Sequence, residues 1–121
     1  MTDERHVSGP SRAEGQIAAI DRLARELEGI RRRESGPAVE FVRGGIVFAV
    51  REGSGHSFRL RPEIVDAALR TPDTSASARG AEWVALATTA ADAFTLDRAK
   101  AWFETAWRLA GEAVERRPRM N

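Results

Sequence analysis

The chain contains no cysteine, a single lysine and only two histidines among its 121 residues. Without cysteine it has no disulfide framework, no thiolate nucleophile and no cysteine-based zinc or iron–sulfur site. This absence fits a reducing cytoplasm, which is the location we predict. No apolar run approaches the roughly 18 residues needed to span a bilayer, and the N-terminus lacks the apolar core of a signal peptide. We therefore expect no membrane partner.

The charge of the chain is nearly balanced, with a formal net charge of +1. This balance creates no global field that would attract a polyanion. Since Lys100 is the only lysine, every other cationic side chain apart from histidine is an arginine. The planar guanidinium group of arginine binds phosphate and carboxylate better than an ammonium group does, but we favour a composition biased toward Arg, Ala and Gly as the explanation. The length predicts one domain over residues 11–117, with flexible tails at residues 1–10 and 118–121.

The first helix is predicted from Ser11 to about Arg32. Ser11 and Glu14 have the spacing of a capping box, and apolar residues then recur every three or four positions. Gly36-Pro37 would end this helix. Arg31–Arg33 would then lie in its last turn, where cations complement the helix dipole, or would contact nucleic acid.

Short strands are predicted next, at Ala38–Val42, Ile46–Arg51 and Ser57–Arg61, with a turn or bulge at residues 43–45. Glycines in residues 52–56 indicate a hairpin between the last two strands. The register we expect places apolar pairs on one face and arginines on the other. Its pairs are Phe48 with Leu60, Val50 with Phe58, Ala49 with Arg59, and Val47 with Arg61.

The second half of the chain predicts a short helix from Pro62, a loop over residues 71–80, a strand at Glu82–Thr88 and a closing helix capped by Thr95. Apolar residues from Leu96 to Val114 cover one broad face of that helix. The predicted fold is α+β: an antiparallel sheet of about four strands around a central hairpin, with two long helices packed on one face.

Catalytic signatures are missing from the sequence. His6 falls in the predicted tail and His56 in the predicted hairpin turn, where we expect it to be solvated; neither has a second ligand at metal spacing. Gly53-Ser54-Gly55 fits neither a phosphate loop nor a nucleophile elbow. The acids near helix starts are expected from the helix dipole alone. We predict no enzyme activity, no cofactor and no metal.

Four arginines form the candidate binding set: Arg51, Arg59 and Arg61 on the outer hairpin face, and Arg79 in the following loop. Arginines on a β-ribbon beside a Ser/Thr-rich loop are suited to phosphate or carboxylate. Alternatively, their stems cover the sheet, or they pair with Glu63, Asp66 and Glu82. The tryptophans are likewise either stacking platforms or core residues.

The order of elements resembles the MmcQ/YjbR-like, or double-wing, family of small bacterial α/β proteins. Three segments carry the resemblance: Gly45–Val50, Ser57–Leu60 and Glu82–Leu86, followed by the closing helix around Asp97 and Trp107. The resemblance covers about residues 16–112. It implies DNA binding by the hairpin, hence by Arg51, Arg59 and Arg61, although the single lysine and the near-neutral charge depart from that pattern.

Three functions stay open at this point. The first is a non-enzymatic binding module that contacts nucleic acid or another anionic partner through the outer hairpin face. The second is a homodimer formed through a strand edge or through the helix flanked by Trp102 and Trp107. The third is a small-ligand pocket or an enzyme without a recognisable motif.

Overall fold

The fold is seen in a computed structural model, which describes residues 12–88 and 93–117. Its helices are α1 (Arg12–Glu26), α2 (Pro62–Ala68) and α3 (Ala93–Glu115). Its strands are β1 (Ile30–Ser35), β2 (Ala38–Arg43), β3 (Ile46–Glu52), β4 (Gly55–Arg59), β5 (Thr74–Ala76) and β6 (Trp83–Ala87).

The strands form one antiparallel sheet in the order β1-β2-β3-β4-β6-β5. The α+β class and the antiparallel sheet are thus confirmed. The long helices α1 and α3 contact each other, and the core is one cluster built from the helices and one face of the sheet. Phe103 of α3 lies at its centre, with its ring 5.2 Å from the rings of both Phe41 and Phe48.

The described sheet has six strands, so the prediction of about four was wrong. The first additional strand, β1, lies where the N-terminal helix was expected to continue, because α1 ends at Glu26. Gly29 and Gly36 both have positive φ, and Gly36-Pro37 forms the two-residue turn between Ser35 and Ala38. Ile30 packs against the core as the helical spacing predicted, but it does so from a strand. Ser11, the predicted cap, lies outside the described residues.

The arginine triplet Arg31–Arg33 is therefore on an exposed edge strand and not in a helical turn. The second additional strand, β5, lies within the predicted loop over residues 71–80 and forms the other edge of the sheet. Of its three residues, Thr-Ser-Ala, only Thr74 is β-branched and none is aromatic, which is too little to indicate a strand. This segment becomes a strand because it pairs with β6, and the sequence pattern does not reveal that pairing.

The β3–β4 hairpin was predicted one residue out of register. Ala49 pairs with Phe58 and Val50 with Ser57, because the connection is the two-residue turn Gly53-Ser54 and not a five-residue loop. Gly53 has the positive φ of 58° that such a turn favours. Since side chains alternate along a strand, Val50 faces away from the helices, while Ala49 and Phe58 face the core.

A bulge in β3 explains why Phe48 reaches the same core as Ala49. Phe41 pairs with Ala49 but Val42 pairs with Val47, which leaves Phe48 as an extra residue between two ladder positions. A bulge interrupts the alternation of side chains, so two consecutive residues can face one side. The prediction that Phe48 is a core residue is confirmed, but its predicted partner Leu60 is not its strand partner.

The C-terminal half of α3 approaches the β2–β3 turn at two glycines. Arg43 lies 4.2 Å from the centre of the Trp107 ring, and its Nη1 donates to the Trp107 carbonyl at 2.9 Å. A methyl group on Gly111 would overlap the Arg43 guanidinium, and one on Gly44 would overlap Val114. At Gly44, which also has a positive φ, only glycine allows the turn to come this close to the helix, whereas at Gly111 the flexible Arg43 guanidinium would have to move.

Helix α3 begins at Ala93, before the predicted cap Thr95. Thr95 is therefore a buried residue of the first turn, and its Oγ1 accepts a hydrogen bond from Arg98 Nη2 at 2.9 Å. The apolar face predicted for this helix is confirmed at Ala99, Phe103, Ala106 and Ala110, all of which are buried in the core.

Candidate anion-binding groove

The four arginines predicted as a binding set separate in the structure. Arg51 pairs across the hairpin with His56 on the helix side of the sheet, and its Nη1 lies 3.6 Å from Asp21 Oδ2 of α1. Arg79 donates from Nε to Glu52 Oε2 at 3.1 Å. These two arginines belong to separate ion pairs and do not join Arg59 and Arg61.

Arg59 and Arg61 do share a site, because both line a groove of about 280 Å³ between the end of β4 and the C-terminal half of α3. The floor of the groove is apolar and its rim is charged. Its apolar lining is Ile46, Phe48, Leu60, Pro62, Ala106, Leu109, Ala110 and Ala113. Its charged lining is Arg59, Arg61, Glu82, Glu112 and Arg116.

The groove follows from two local features of the sequence. Ladder pairing between β3 and β4 reaches Ala49 and Phe58 and goes no further, so Ile46–Phe48 have no strand partner in β4. Opposite this opening, α3 presents Ala106, Ala110 and Ala113, whose methyl side chains fill little of the space. The missing ladder pairs and the small side chains leave an apolar hollow beside the strand end.

The rim carries three guanidinium groups and two carboxylates. Arg59 Nη2 lies 3.2 Å from Glu82 Oε1, and Arg61 Nη2 lies 3.5 Å from Glu112 Oε1. Arg116 Nη1 lies 4.0 Å from the same oxygen of Glu112. The three arginine side chains keep 48%, 56% and 71% of their surface exposed, respectively. Exposed ion pairs of this length contribute little, so an incoming anion can compete with them.

Arg116 was not among the predicted site residues. The sequence does place it one helical turn after Glu112, and this spacing predicts an ion pair on the helix surface. What the sequence does not show is that this turn of the helix lies beside Arg61, which is 55 positions earlier in the chain (116 − 61). The fold brings both arginines within 4.0 Å of one carboxylate oxygen.

A second polar cluster lies beneath α1 and is largely buried. His56 is fully buried on β4, so the prediction of a solvated turn residue was wrong: the tight turn ends before it. Gln16 Nε2 of α1 donates to His56 Nδ1 at 2.8 Å. Burial, and secondarily the charge of Arg51, lower the pKa of His56 to about 3. His56 is therefore neutral at physiological pH.

The same cluster continues from Arg51 through Asp21 to Arg32, whose Nε lies 3.7 Å from Asp21 Oδ1. Three of its buried atoms have no hydrogen-bond partner among the described residues: Asp21 Oδ1, Arg51 Nη1 and His56 Nε2. No nucleophile stands beside the histidine in these contacts. The cluster attaches α1 to the sheet, and we assign it a structural role.

Within residues 12–88 and 93–117, no group of three or more His, Asp or Glu side chains is arranged to hold a metal ion. None of the helices in these ranges has both the length and the apolar character that crossing a membrane requires. Comparisons with protein-family models, with curated proteins and with solved structures gave no match.

Proposed function

We propose that this chain is a non-enzymatic binding module whose groove beside α3 holds a segment of a protein partner that carries a single carboxylate next to an aliphatic side chain. An aliphatic side chain of the partner occupies the apolar floor, and a carboxylate next to it binds the arginines of the rim. The observation that carries this proposal is the placement of three exposed guanidinium groups around one apolar hollow. Planar guanidinium groups bind carboxylates in bidentate geometry.

A protein partner fits this groove better than a nucleic acid does. Affinity for nucleic acid comes mainly from neutralising many phosphates, whereas among the described residues the rim has only three arginines and also carries Glu82 and Glu112. The apolar floor has no counterpart on a phosphate backbone. Trp107 is not a free stacking platform, since its Nε1 donates to the Glu28 carbonyl at 2.8 Å and Arg43 covers its ring.

The resemblance to the MmcQ/YjbR-like family stays a prediction, and DNA binding through the hairpin stays with it. In that alternative the partner would meet Arg59 and Arg61, while Arg51 would contribute little because it faces α1. A location in the cytoplasm likewise stays a prediction.

Association through a strand edge is disfavoured by the edges themselves. Edge strand β1 carries three consecutive exposed arginines, and edge strand β5 has only three residues. Charged and very short edge strands are features that prevent pairing between sheets. We therefore do not propose a homodimer built by extension of the sheet.

The proposal can be tested with N-acetyl-leucine, which joins one carboxylate to one aliphatic side chain, in an NMR titration of the ¹⁵N-labelled chain. We expect shifts for Phe48, Leu60 and Ala110, which line the groove, and much weaker shifts with the neutral amide N-acetyl-leucinamide. A short DNA duplex, added at low and at high salt, is the competing probe. Shifts of the same residues with DNA alone, lost at high salt, would replace the protein partner with nucleic acid.

A matched pair of variants separates the groove from the rest of α3. Ala113→Leu places a larger side chain in the groove, whereas Ala101→Leu makes the same change at an exposed position of the same helix. We expect Ala113→Leu to abolish the shifts and Ala101→Leu to leave them unchanged. Equal binding by both variants would show that the ligand lies elsewhere.

A further inference from the structure

The charged rim of the groove contains a carboxylate in an unusual position. Glu112 Oε1 lies between two guanidinium groups, 3.5 Å from Arg61 Nη2 and 4.0 Å from Arg116 Nη1. Both distances are longer than the 2.7–2.9 Å typical of a charge-assisted hydrogen bond between ions. Neither arginine is bound to it in bidentate geometry, and the Glu112 side chain keeps 47% of its surface exposed.

We infer that Glu112 occupies the anion subsite of the groove in the free protein, and that a ligand carboxylate displaces it. Glu112 is thus an internal competitor, and the subsite that it occupies is suited to a carboxylate. This inference rests on the proposed function, because it assigns a role to one residue of the same groove.

The geometry supports displacement for two reasons. First, the Glu112 side chain belongs to α3, and both of its contacts are long, so its guanidinium partners are held loosely. Second, Arg61 precedes α2 and shares no helix with Glu112, whereas Arg116 is held one helical turn after Glu112 by a backbone hydrogen bond and stays beside the groove when the Glu112 side chain moves. A ligand carboxylate that enters along the groove can approach both guanidinium groups at shorter distances than Glu112 does.

Glu112 also makes the groove selective. While it is present, the rim has three positive and two negative side chains, so a single carboxylate is sufficient to neutralise the excess charge. A ligand with several adjacent negative charges would meet repulsion from Glu82 and Glu112. We therefore expect a preference for a monocarboxylate over phosphate or a dicarboxylate of similar size.

The test compares Glu112→Gln with Glu104→Gln, which removes the same charge from an exposed position of the same helix outside the groove. We expect Glu112→Gln to tighten N-acetyl-leucine binding by about three- to tenfold, the range for losing competition from two exposed ion pairs. Glu104→Gln should change the dissociation constant by less than about twofold, because it is outside the site. Glu112→Gln should also reduce the preference of the groove for N-acetyl-leucine over phosphate.

The outcomes of this experiment are separable. If the wild-type chain does not bind N-acetyl-leucine, the proposed function fails. If the wild type binds and Glu112→Gln binds equally, Glu112 does not compete with the ligand; if Glu112→Gln binds more weakly, Glu112 contributes to the site. Either result overturns the inference but keeps the groove as a binding site. Circular dichroism of both variants checks that the fold is retained, which we expect because both side chains are exposed.

Discussion

The two arginine clusters of this protein use the same types of side chain in opposite ways. Beneath α1, the side chains of Arg51 and Asp21 are only 21% and 25% exposed and lie beside the fully buried His56. Around the groove, Arg61 and Glu112 are 56% and 47% exposed and border empty apolar space. The first cluster holds two elements together, whereas the second is available to a partner. Burial, and not residue type, separates the two roles.

The difference has an energetic consequence. A buried polar group that loses its partner costs far more than an exposed one, because water cannot replace the lost contact. Variants of the α1 cluster should therefore change stability, and variants of the groove should change binding. Three measurements test this division.

The largest effect is expected for His56→Ala. The substitution removes a fully buried ring and leaves the buried Gln16 amide without its partner. We expect the free energy of unfolding to fall by about 2–4 kcal/mol, in the range for large-to-small changes with a broken buried hydrogen bond. Urea denaturation followed by circular dichroism measures it. A loss below about 0.5 kcal/mol, the usual limit for surface changes, would remove the structural role of this cluster.

The next effect is a dependence of stability on pH. The pKa of His56 is 6.5 in the unfolded chain and about 3 in the folded protein. Its contribution is therefore fully present above pH 6.5 and is lost as the pH falls from there toward 3. Linkage predicts a loss of about 2 kcal/mol between about pH 7 and 5.

His56→Gln is the control for this pH dependence, because glutamine does not titrate. The difference in stability between wild type and variant should shrink as the pH is lowered, while the carboxylates, common to both proteins, cancel. Parallel stability curves over this range would show that His56 is accessible to protons in the folded state.

The smallest effect on stability is expected for Arg61→Ala in the groove. Its ion pair with Glu112 is exposed and 3.5 Å long, so the free energy of unfolding should change by less than about 0.5 kcal/mol. Binding of N-acetyl-leucine should weaken by about fivefold or more. Arg108→Ala, on the exposed face of α3, is the matched control and should bind normally. A large loss of stability in Arg61→Ala alone would place this arginine with the structural cluster.

Much of the fold was accessible from sequence because apolar spacing reports burial directly. The stripe on α3 and the core positions Phe48, Phe58 and Leu60 illustrate this. Ile30 shows a limit of prediction from apolar spacing. Its spacing fits the apolar face of the first helix, but a strand residue can have the same spacing, and the turn at Gly29 makes Ile30 the start of β1. Strand β5 shows another limit, because small polar residues become a strand only through pairing with β6.

Only part of the candidate site could be predicted from the sequence, for a related reason. Arg59 and Arg61 were identified because they follow an apolar strand at alternating positions, and both line the groove. Arg51 shares the alternation but faces α1, because the hairpin turn is shorter than expected and shifts the register by one residue. Arg116 could not be assigned, since its proximity to Arg61 depends on how α3 packs on the sheet.

The close approach of α3 to the β2–β3 turn affects which sizes of ligand the groove can hold. Gly44 lets the β2–β3 turn contact Val114 in the last turns of α3, and residues of those same turns line the groove. A side chain at Gly44 would overlap Val114, so the turn and the helix would move apart and the width of the groove would change with that movement. Ligand size can therefore be altered by substitutions that never touch the ligand.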